Sequence, residues 1–380
     1  MERSTLKRRS SSSDLESAKA LRSSLILRPK VGSPLVMLSR EKEGCGVYKP
    51  DEDRVYETKR DFSGYRFLGN SGKWSLVVDS RMKFYIVDVF SEEMIDLPPI
   101  ESFKGTLFRL ERLGDNVRNR LVSDSAHGLV NTAEDLRGRL WVDDNNGDYV
   151  VVWVFQRSEY IGFCKKGDDH YREILLRGID VHWQFRGFYD FVLKGHHLYI
   201  HVVRGFIRHL DLSAGHDGDF KDVSERQDFA LHRPSLMSLC MDERERIKIN
   251  KIISFTESIA VTRSGQVLLV YTYELNSAER QRMFHLYKRN PNPTCYETEI
   301  VEVDSLGDEA LFLDLGTTVP ADHTLGIEPN SIYFTRGDRI YHRNTSCLDI
   351  CVFNLTTKTI KRFPTLSNLN LKDAQWFLPS

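Results

Sequence analysis

One thirteen-residue pattern occurs near both ends of this chain, and it constrains the fold more than any other feature. Ile86–Pro98 reads IVDVFSEEMIDLP, and Val352–Pro364 reads VFNLTTKTIKRFP. Each copy has two strand residues, Asp or Asn, an apolar residue, a four-residue turn, a second short strand and a proline. That order is a β-hairpin written in turn chemistry. The copies lie 266 residues apart. At ~40–45 residues per four-stranded blade, the interval corresponds to about six blades. Arg208–Ser213 (RHLDLS) reads as a decayed middle copy. A sandwich of this length rarely repeats one hairpin so far apart. The expected fold is therefore all-β, a single β-propeller of about six or seven blades, with a short disordered or helical N-terminal tail.

The rest of the chain agrees with a hairpin array. Trp74–Val78 and Phe84–Val89 flank Asp79–Arg81, and Leu140–Val142 and Tyr149–Phe155 flank Asp143–Asp148. Tyr160–Cys164 pairs by pattern with Tyr171–Leu176, Phe191–Leu193 with Leu198–Val203, and Ile259–Thr262 with Val267–Tyr273. Aromatic residues make up 11% of the chain and fall largely in these short runs, which favours strands over helices. Ring closure predicts that Leu35–Ser39 and Ala374–Leu378 lie side by side. Two regions break the rhythm. Glu101–Arg139 is polar and irregular and reads as a long loop on one face. Pro234–Ile249 has mixed helical character and reads as an insertion or a blade's outer edge.

Charge excludes some functions. Lys and Arg total 53 against 54 Asp and Glu, so no bulk field draws the chain to nucleic acid or an anionic membrane. No run approaches the ~18 apolar residues of a membrane helix. The six cysteines are scattered, and no secretory signal is evident, which predicts a reduced, intracellular chain. Cys347 and Cys351 are the one close pair, but they lack C-x-x-C spacing. Asn344–Ser346 and Asn354–Thr356 match the glycosylation pattern by chance in such a compartment. Residues 1–30 are different: eight Ser, eight basic and three acidic residues give a local charge of +5. That composition cannot bury enough apolar surface to offset chain entropy. Asp14–Leu25 is the exception, a short helix with Asp14 as N-cap and Leu15, Ala18, Leu21 and Leu25 on one side. The tail also suits a basophilic kinase site, a nuclear signal or an organellar transit peptide, with Glu2, Asp14 and Glu16 counting against the last.

Catalytic patterns fail one by one. There is no G-x-S-x-G, H-E-x-x-H or G-x-G-x-x-G. Gly69–Lys73 resembles a phosphate loop in composition only, because Trp74 stands where Ser or Thr is needed. Asp143–Asp148 misses calcium-loop spacing, with Gly147 one residue early and no closing Glu. His196, His197, His201 and His209 cluster, and on a strand His197 and His201 would share a face. Incidental imidazoles on a polar hairpin explain them more simply. Asp308–Glu309 is an acidic pair before a strand, and it reads as a solvated turn. Phe206–Ile207 beside Arg204 and Arg208 reads as a half-buried strand. No catalytic residue, cofactor or metal is expected.

One stretch carries lineage. Ser305–Phe334, SLGDEALFLDLGTTVPADHTLGIEPNSIYF, resembles the signature of the plant F-box-associated β-propeller family, formerly a domain of unknown function, in its mustard-family branch. Trp74–Ser102, Leu140–Phe155 with Cys164–Tyr171, Asp349–Phe363 and the terminal Trp376–Ser380 match in the family's order. The resemblance runs from about Leu35 to the end. It implies two segments, a basic Ser-rich tail over 1–34 and a propeller over 35–380. It also implies structural roles for Gly307, Gly316 and Pro329 in turns, for Leu311 and Phe312 in the core, and for Trp376 as a signature residue. Members carry an N-terminal F-box that docks on the Skp-type adaptor of a cullin-RING ubiquitin ligase, while the propeller selects the protein to be modified.

The sequence departs from the family at that F-box. Asp14–Ser24 resembles its last helix, and Asp14, Leu15, Ala18, Lys19 and Leu21 are the adaptor-binding remnant the resemblance implies. The Leu-Pro opening, two helices and a Cys and Trp are missing, which counts against adaptor binding. An amphipathic helix without partner helices has no core of its own. Two readings follow: a substrate receptor of a Skp–cullin–F-box ligase with an unknown protein substrate, or an F-box-less propeller binding proteins independently of the ligase. The first predicts the nucleus or cytoplasm. The second allows a mitochondrion or other organelle. A propeller hydrolase or oxidoreductase is the remote third.

Overall fold

The computed structural model describes residues 30–40, 44–58, 60–123, 128–156, 158–176, 188–202, 206–213, 220–224, 252–276, 281–290, 300–335, 348–367 and 369–380. The adaptor-binding remnant Asp14–Leu21, Cys347 and the expected insertion at Pro234–Ile249 lie outside these residues.

The strands come in meanders. β1 (Leu35–Arg40), β2 (Cys45–Lys49) and β3 (Arg54–Glu57) pair antiparallel in order. β4 (Arg66–Ser71), β5 (Trp74–Val78), β6 (Phe84–Asp88) and β7 (Met94–Asp96) form the second unit. β8 (Phe108–Leu113), β9 (Asn116–Leu121) and β10 (Gly128–Asn131) form a separate three-stranded sheet. β11 (Leu136–Asp143), β12 (Asp148–Phe155), β13 (Tyr160–Lys165) and β14 (Arg172–Leu175) make the third blade. β15 (Phe188–Lys194), β16 (His197–Val202), β17 (Phe206–Asp211) and β18 (Lys221–Asp222) make the fourth. β19 (Ile252–Val261), β20 (Val267–Leu275), β21 (Arg282–Arg289) and β22 (Ile300–Glu302) make the fifth. β23 (Glu309–Phe312), β24 (Thr317–Pro320), β25 (Ser331–Phe334), β26 (Cys351–Asn354) and β27 (Ile360–Arg362) form the sixth, in the order β24-β23-β25-β26-β27. β28 (Leu371–Phe377) returns to the first unit and pairs with β1, Leu35 opposite Phe377 and Leu38 opposite Ala374. The predicted closure is thus observed.

Burial shows why these sheets stack in a ring. Every residue of β12 from Tyr149 to Phe155 is buried. Alternate residues of a strand point to opposite faces, so both faces of this sheet are covered. Val150, Val152 and Val154 pack toward blade four with Phe188 and Ile200. Val151, Trp153 and Phe155 pack toward blade two with Leu76 and Ile86. The same holds around the molecule, with one apolar cluster between each successive pair of blades and the last joining blade six to blade one. A sandwich has one core between two sheets. Here, among the described residues, six blades have six cores, and no blade buries its apolar side chains without both neighbours.

The thirteen-residue repeat occupies equivalent places in blades two and six. The Asp88 carboxylate accepts the Phe90 and Ser91 N–H groups at 2.9 and 3.2 Å. The Asn354 amide oxygen accepts Thr356 and Thr357 N–H at 3.0 and 2.9 Å. The turns end alike, with Glu92 at φ 68° and Lys358 at φ 55°. Asp211, in the middle copy, accepts Ser213 N–H at 2.8 Å from the same next-to-outermost strand position.

Glu101–Arg139 departs from its expected loop. It contains β8–β10, whose Phe108, Leu110 and Val117 enter the cluster between blades two and three. Charged residues alternate with apolar ones here, so one face packs while the other meets water.

Candidate functional site

The inner strands meet through polar contacts that complete the ring. Gln375 of β28 accepts the Asn70 amide of β4 at 2.7 Å. β4 and β11 touch backbone to backbone: a Cβ on Gly69 would come within 3.0 Å of the Gly138 carbonyl. Arg139 of β11 lies 3.5 Å from Asp190 of β15 and donates to the Phe191 carbonyl at 3.2 Å. Burial lowers the Arg139 guanidinium below its ordinary pKa, and Asp190 opposes that shift. Asp190 also accepts Ile259 N–H of β19 at 3.1 Å. β19 reaches β24 through a parallel bridge, Val261 to Thr317.

Ser305–Phe334 closes the last step. Gly307 sits at φ +64° in the turn before β23, where its N–H meets the Ser305 hydroxyl at 3.0 Å. Leu311 and Phe312 are fully buried on opposite faces of β23, one toward blade five and one toward blade one. Gly316, at φ +70°, lies against blade four, where an added Cβ would fall 2.3 Å from Val192. Pro329 precedes β25, and its carbonyl accepts the Ser331 hydroxyl at 3.0 Å. Trp376 is fully buried, and its indole N–H donates to the Phe334 carbonyl at 3.1 Å. Its backbone N–H donates to Asp314 at 2.6 Å, and Asp314 takes the Thr335 hydroxyl at 2.9–3.0 Å. These residues hold the blade together and join it to its neighbours. None presents a reactive group to solvent.

Several structural residues escaped the sequence reading. Asp314 was visible as a lone carboxylate in the apolar run ALFLDL, but its partners Thr335 and Trp376 are 21 and 62 residues on. Asn330, at φ 52°, bonds Leu306 N–H and the Thr356 hydroxyl, tying the signature to the repeat. Asp349 bridges Arg282 of β21 at 2.7 Å and Arg362 of β27 at 2.8 Å, across blades five and six. Burial alone would raise the Asp349 carboxyl, yet Arg362 and Arg282 hold it below its ordinary value.

The groups flagged for chemistry are dispersed. His197 and His209 face each other at 3.1 Å on blade four, and burial followed by the His197 charge lowers His209. His201 departs from the polar-hairpin expectation: it is fully buried, 3.4 Å from Glu257 of blade five. Glu309 accepts the Thr318 hydroxyl. Cys45, Cys164 and Cys351 are buried free thiols, and burial pushes Cys45 up to about 11. Among the described residues, no three His, Cys, Asp or Glu side chains converge as metal ligands. None of their helices is long and apolar enough to cross a membrane.

Exposed chemistry concentrates elsewhere. Among the described residues, six large apolar side chains stand in solvent, and five of them belong to the β8–β10 segment: Leu107, Leu113, Val122, Leu129 and Val130. Among the described residues, most of the exposed large apolar side chains therefore share one sheet.

Six two-sided blades among the described residues, with the last strand returned to the first, define a β-propeller. The KIB1-4 beta-propeller family matches residues 47–354, and the chain belongs to that family. Similar proteins include F-box proteins of Arabidopsis thaliana. F-box protein At5g25290 is 46% identical over 92% of this chain and 86% of its own length. At2g14290 is 43% identical over 94% and 88%, and F-box protein KIB4 is 30% identical over 89% and 80%. Among solved structures, apo AztD from Citrobacter koseri aligns over 92% of this chain and 99% of its own, at 7% identity and a TM-score of 0.33.

Proposed function

We propose that this protein is a recognition subunit of a Skp–cullin–F-box ubiquitin ligase, its propeller holding the protein to be modified. The observation that carries the reading is the 46% identity, across 92% of the chain, to F-box protein At5g25290. The ring supports it: binding on a closed scaffold costs little backbone ordering, which favours affinity. Adaptor engagement would fall to the N-terminal segment around Asp14, Leu15, Ala18, Lys19 and Leu21, and substrate engagement to the residues after 35. Both partners are proteins.

Co-precipitation of the full chain with Skp-type adaptor and cullin tests the proposal. Association should exceed that of a chain lacking residues 1–34. Equal recovery of the two would remove the receptor reading and leave a propeller that binds proteins without the ligase. A fluorescent fusion at the C-terminus locates the protein; the receptor reading predicts nuclear and cytoplasmic signal, and an organellar signal would overturn it.

A further inference from the structure

We infer that the outer face and open edge of the β8–β10 sheet dock an extended, acidic-aliphatic segment of a partner protein, added beside β10 as a fourth strand. The inference rests on the protein-recognition reading above and assigns it a surface.

The sheet has two unlike faces. Inward, Phe108, Leu110 and Val117 are buried, with the Phe108 ring 4.8 Å from Tyr160. That anchoring makes the sheet a rigid shelf. By alternation, the outward face carries Leu107, Arg109, Glu111 and Leu113 from the β8 side. From the β9 side it carries Val122, Arg120 and Arg118, and from β10 it carries Val130. Leu107 and Val122 are joined across the strands by a 2.9 Å backbone bond, and are 40% and 47% exposed. Val130 is 51% exposed and lies opposite Arg118. Aliphatic and basic side chains are thus interleaved on one surface.

The charge is unbalanced. Arg109 stands directly opposite Arg120, a like-charge pairing that costs stability. Glu111 bonds Arg120. Arg109 and Arg118 have no carboxylate partner among the described residues. Among the described residues Arg109 and Arg118 therefore face outward without a carboxylate, and carboxylates from a partner would complement them.

The edge is open. Among the described residues β10 pairs with β9 alone. Its sequence, GLVN, has neither the proline nor the lysine that commonly protects an exposed edge. Main-chain bonds to such an edge give affinity, while alternate side chains give specificity. The chain's own N-terminal tail is a poor occupant, since residues 1–30 carry +5. A second copy would bring two arginine faces together. An acidic, aliphatic segment from another protein satisfies both edge and face.

The full chain can be titrated against a fluorescent peptide of alternating glutamate and valine, read by anisotropy. Binding should weaken with salt, and a lysine–valine peptide should not bind. The double substitution Arg109→Glu and Arg118→Glu should lower affinity at least tenfold, and Val130→Pro should do the same by blocking the edge. A thermal melt of each variant shows whether the ring is intact. If Val130→Pro unfolds it, the arginine substitutions carry the test. Unchanged affinity in the folded double variant would overturn the inference, as would equal binding of both peptides. A dimer in sedimentation that Val130→Pro dissociates would assign the edge to a second copy, and also overturn it. Adaptor association, measured in parallel, separates the two readings: its absence with peptide binding retained sinks only the ligase membership.

Discussion

Asp349 is where a single side chain decides most. It is 8% exposed and holds two guanidinium groups from two blades, one of them buried. Taking one partner from a buried ion pair leaves an uncompensated charge, which costs about 3–5 kcal/mol. Arg282 keeps Glu274 at 3.4 Å, so Asp349→Ala should lose less than that in urea unfolding at neutral pH, about 1–3 kcal/mol. The sign with pH follows from the lowered carboxyl. A group whose folded pKa lies below its unfolded value stabilises above the unfolded value, and that stability is lost as pH falls through the folded one. The gap between native chain and variant should therefore hold at neutral pH and close below the ordinary carboxylate value of ~3.9. A gap that persists undiminished in acid would remove Asp349 from this role. Apolar residues such as Leu311 and Phe312 were readable as core from hydrophobicity and lineage. Asp349 was not, because nothing local marks a carboxylate whose partner Arg282 lies 67 residues back.

Hairpins announce themselves because their determinants are local. The turn at Asp143–Asp148 needs only its own Asp, Asn and Gly, and the 13-residue repeat shows the same economy twice. The two copies are not equal in energy. Asp88 is charged, buried and also bound by Lys73 at 3.1 Å, whereas Asn354 is neutral. Hydrogen bonds to charged groups contribute ~1.5–3 kcal/mol and neutral ones ~0.5–1.5. Asp88→Ala should thus cost more than Asn354→Ala by roughly 1 kcal/mol in chemical denaturation, and equal costs would mean the turns do not depend on the acceptor. β8–β10 stayed hidden for a related reason. Its strands alternate arginine with aliphatic residues and have no strong turn signal between them except Gly114. Only the neighbouring blades, which bury Phe108 and Val117, make that pattern a sheet.

At the scale of the ring, the decisive fact is that each apolar cluster needs two blades. β28 brings Trp376 and Ala374 to the cluster between blades six and one, and Phe377 to the one between blades one and two. Losing it would open both at once, and burial of Trp376 alone is worth ~3–5 kcal/mol by truncation. That approaches half of the 5–15 kcal/mol net stability of an ordinary domain. A chain ending at Asn370 should therefore lose its cooperative unfolding transition in calorimetry. Covalent connection between β28 and the rest is a separate matter. Gly32 N–H already bonds the Pro379 carbonyl at 2.6 Å, so a short linker can join residue 380 to residue 30. Opening the chain at Gly195, at φ +61° in a hairpin with space around it, leaves every blade its strands. Such a permutant should melt in one transition, within about 2 kcal/mol of the parent, because added loop length costs only slowly. If the permutant fails while the truncated chain still melts cooperatively, closure by β28 is not what holds the propeller together.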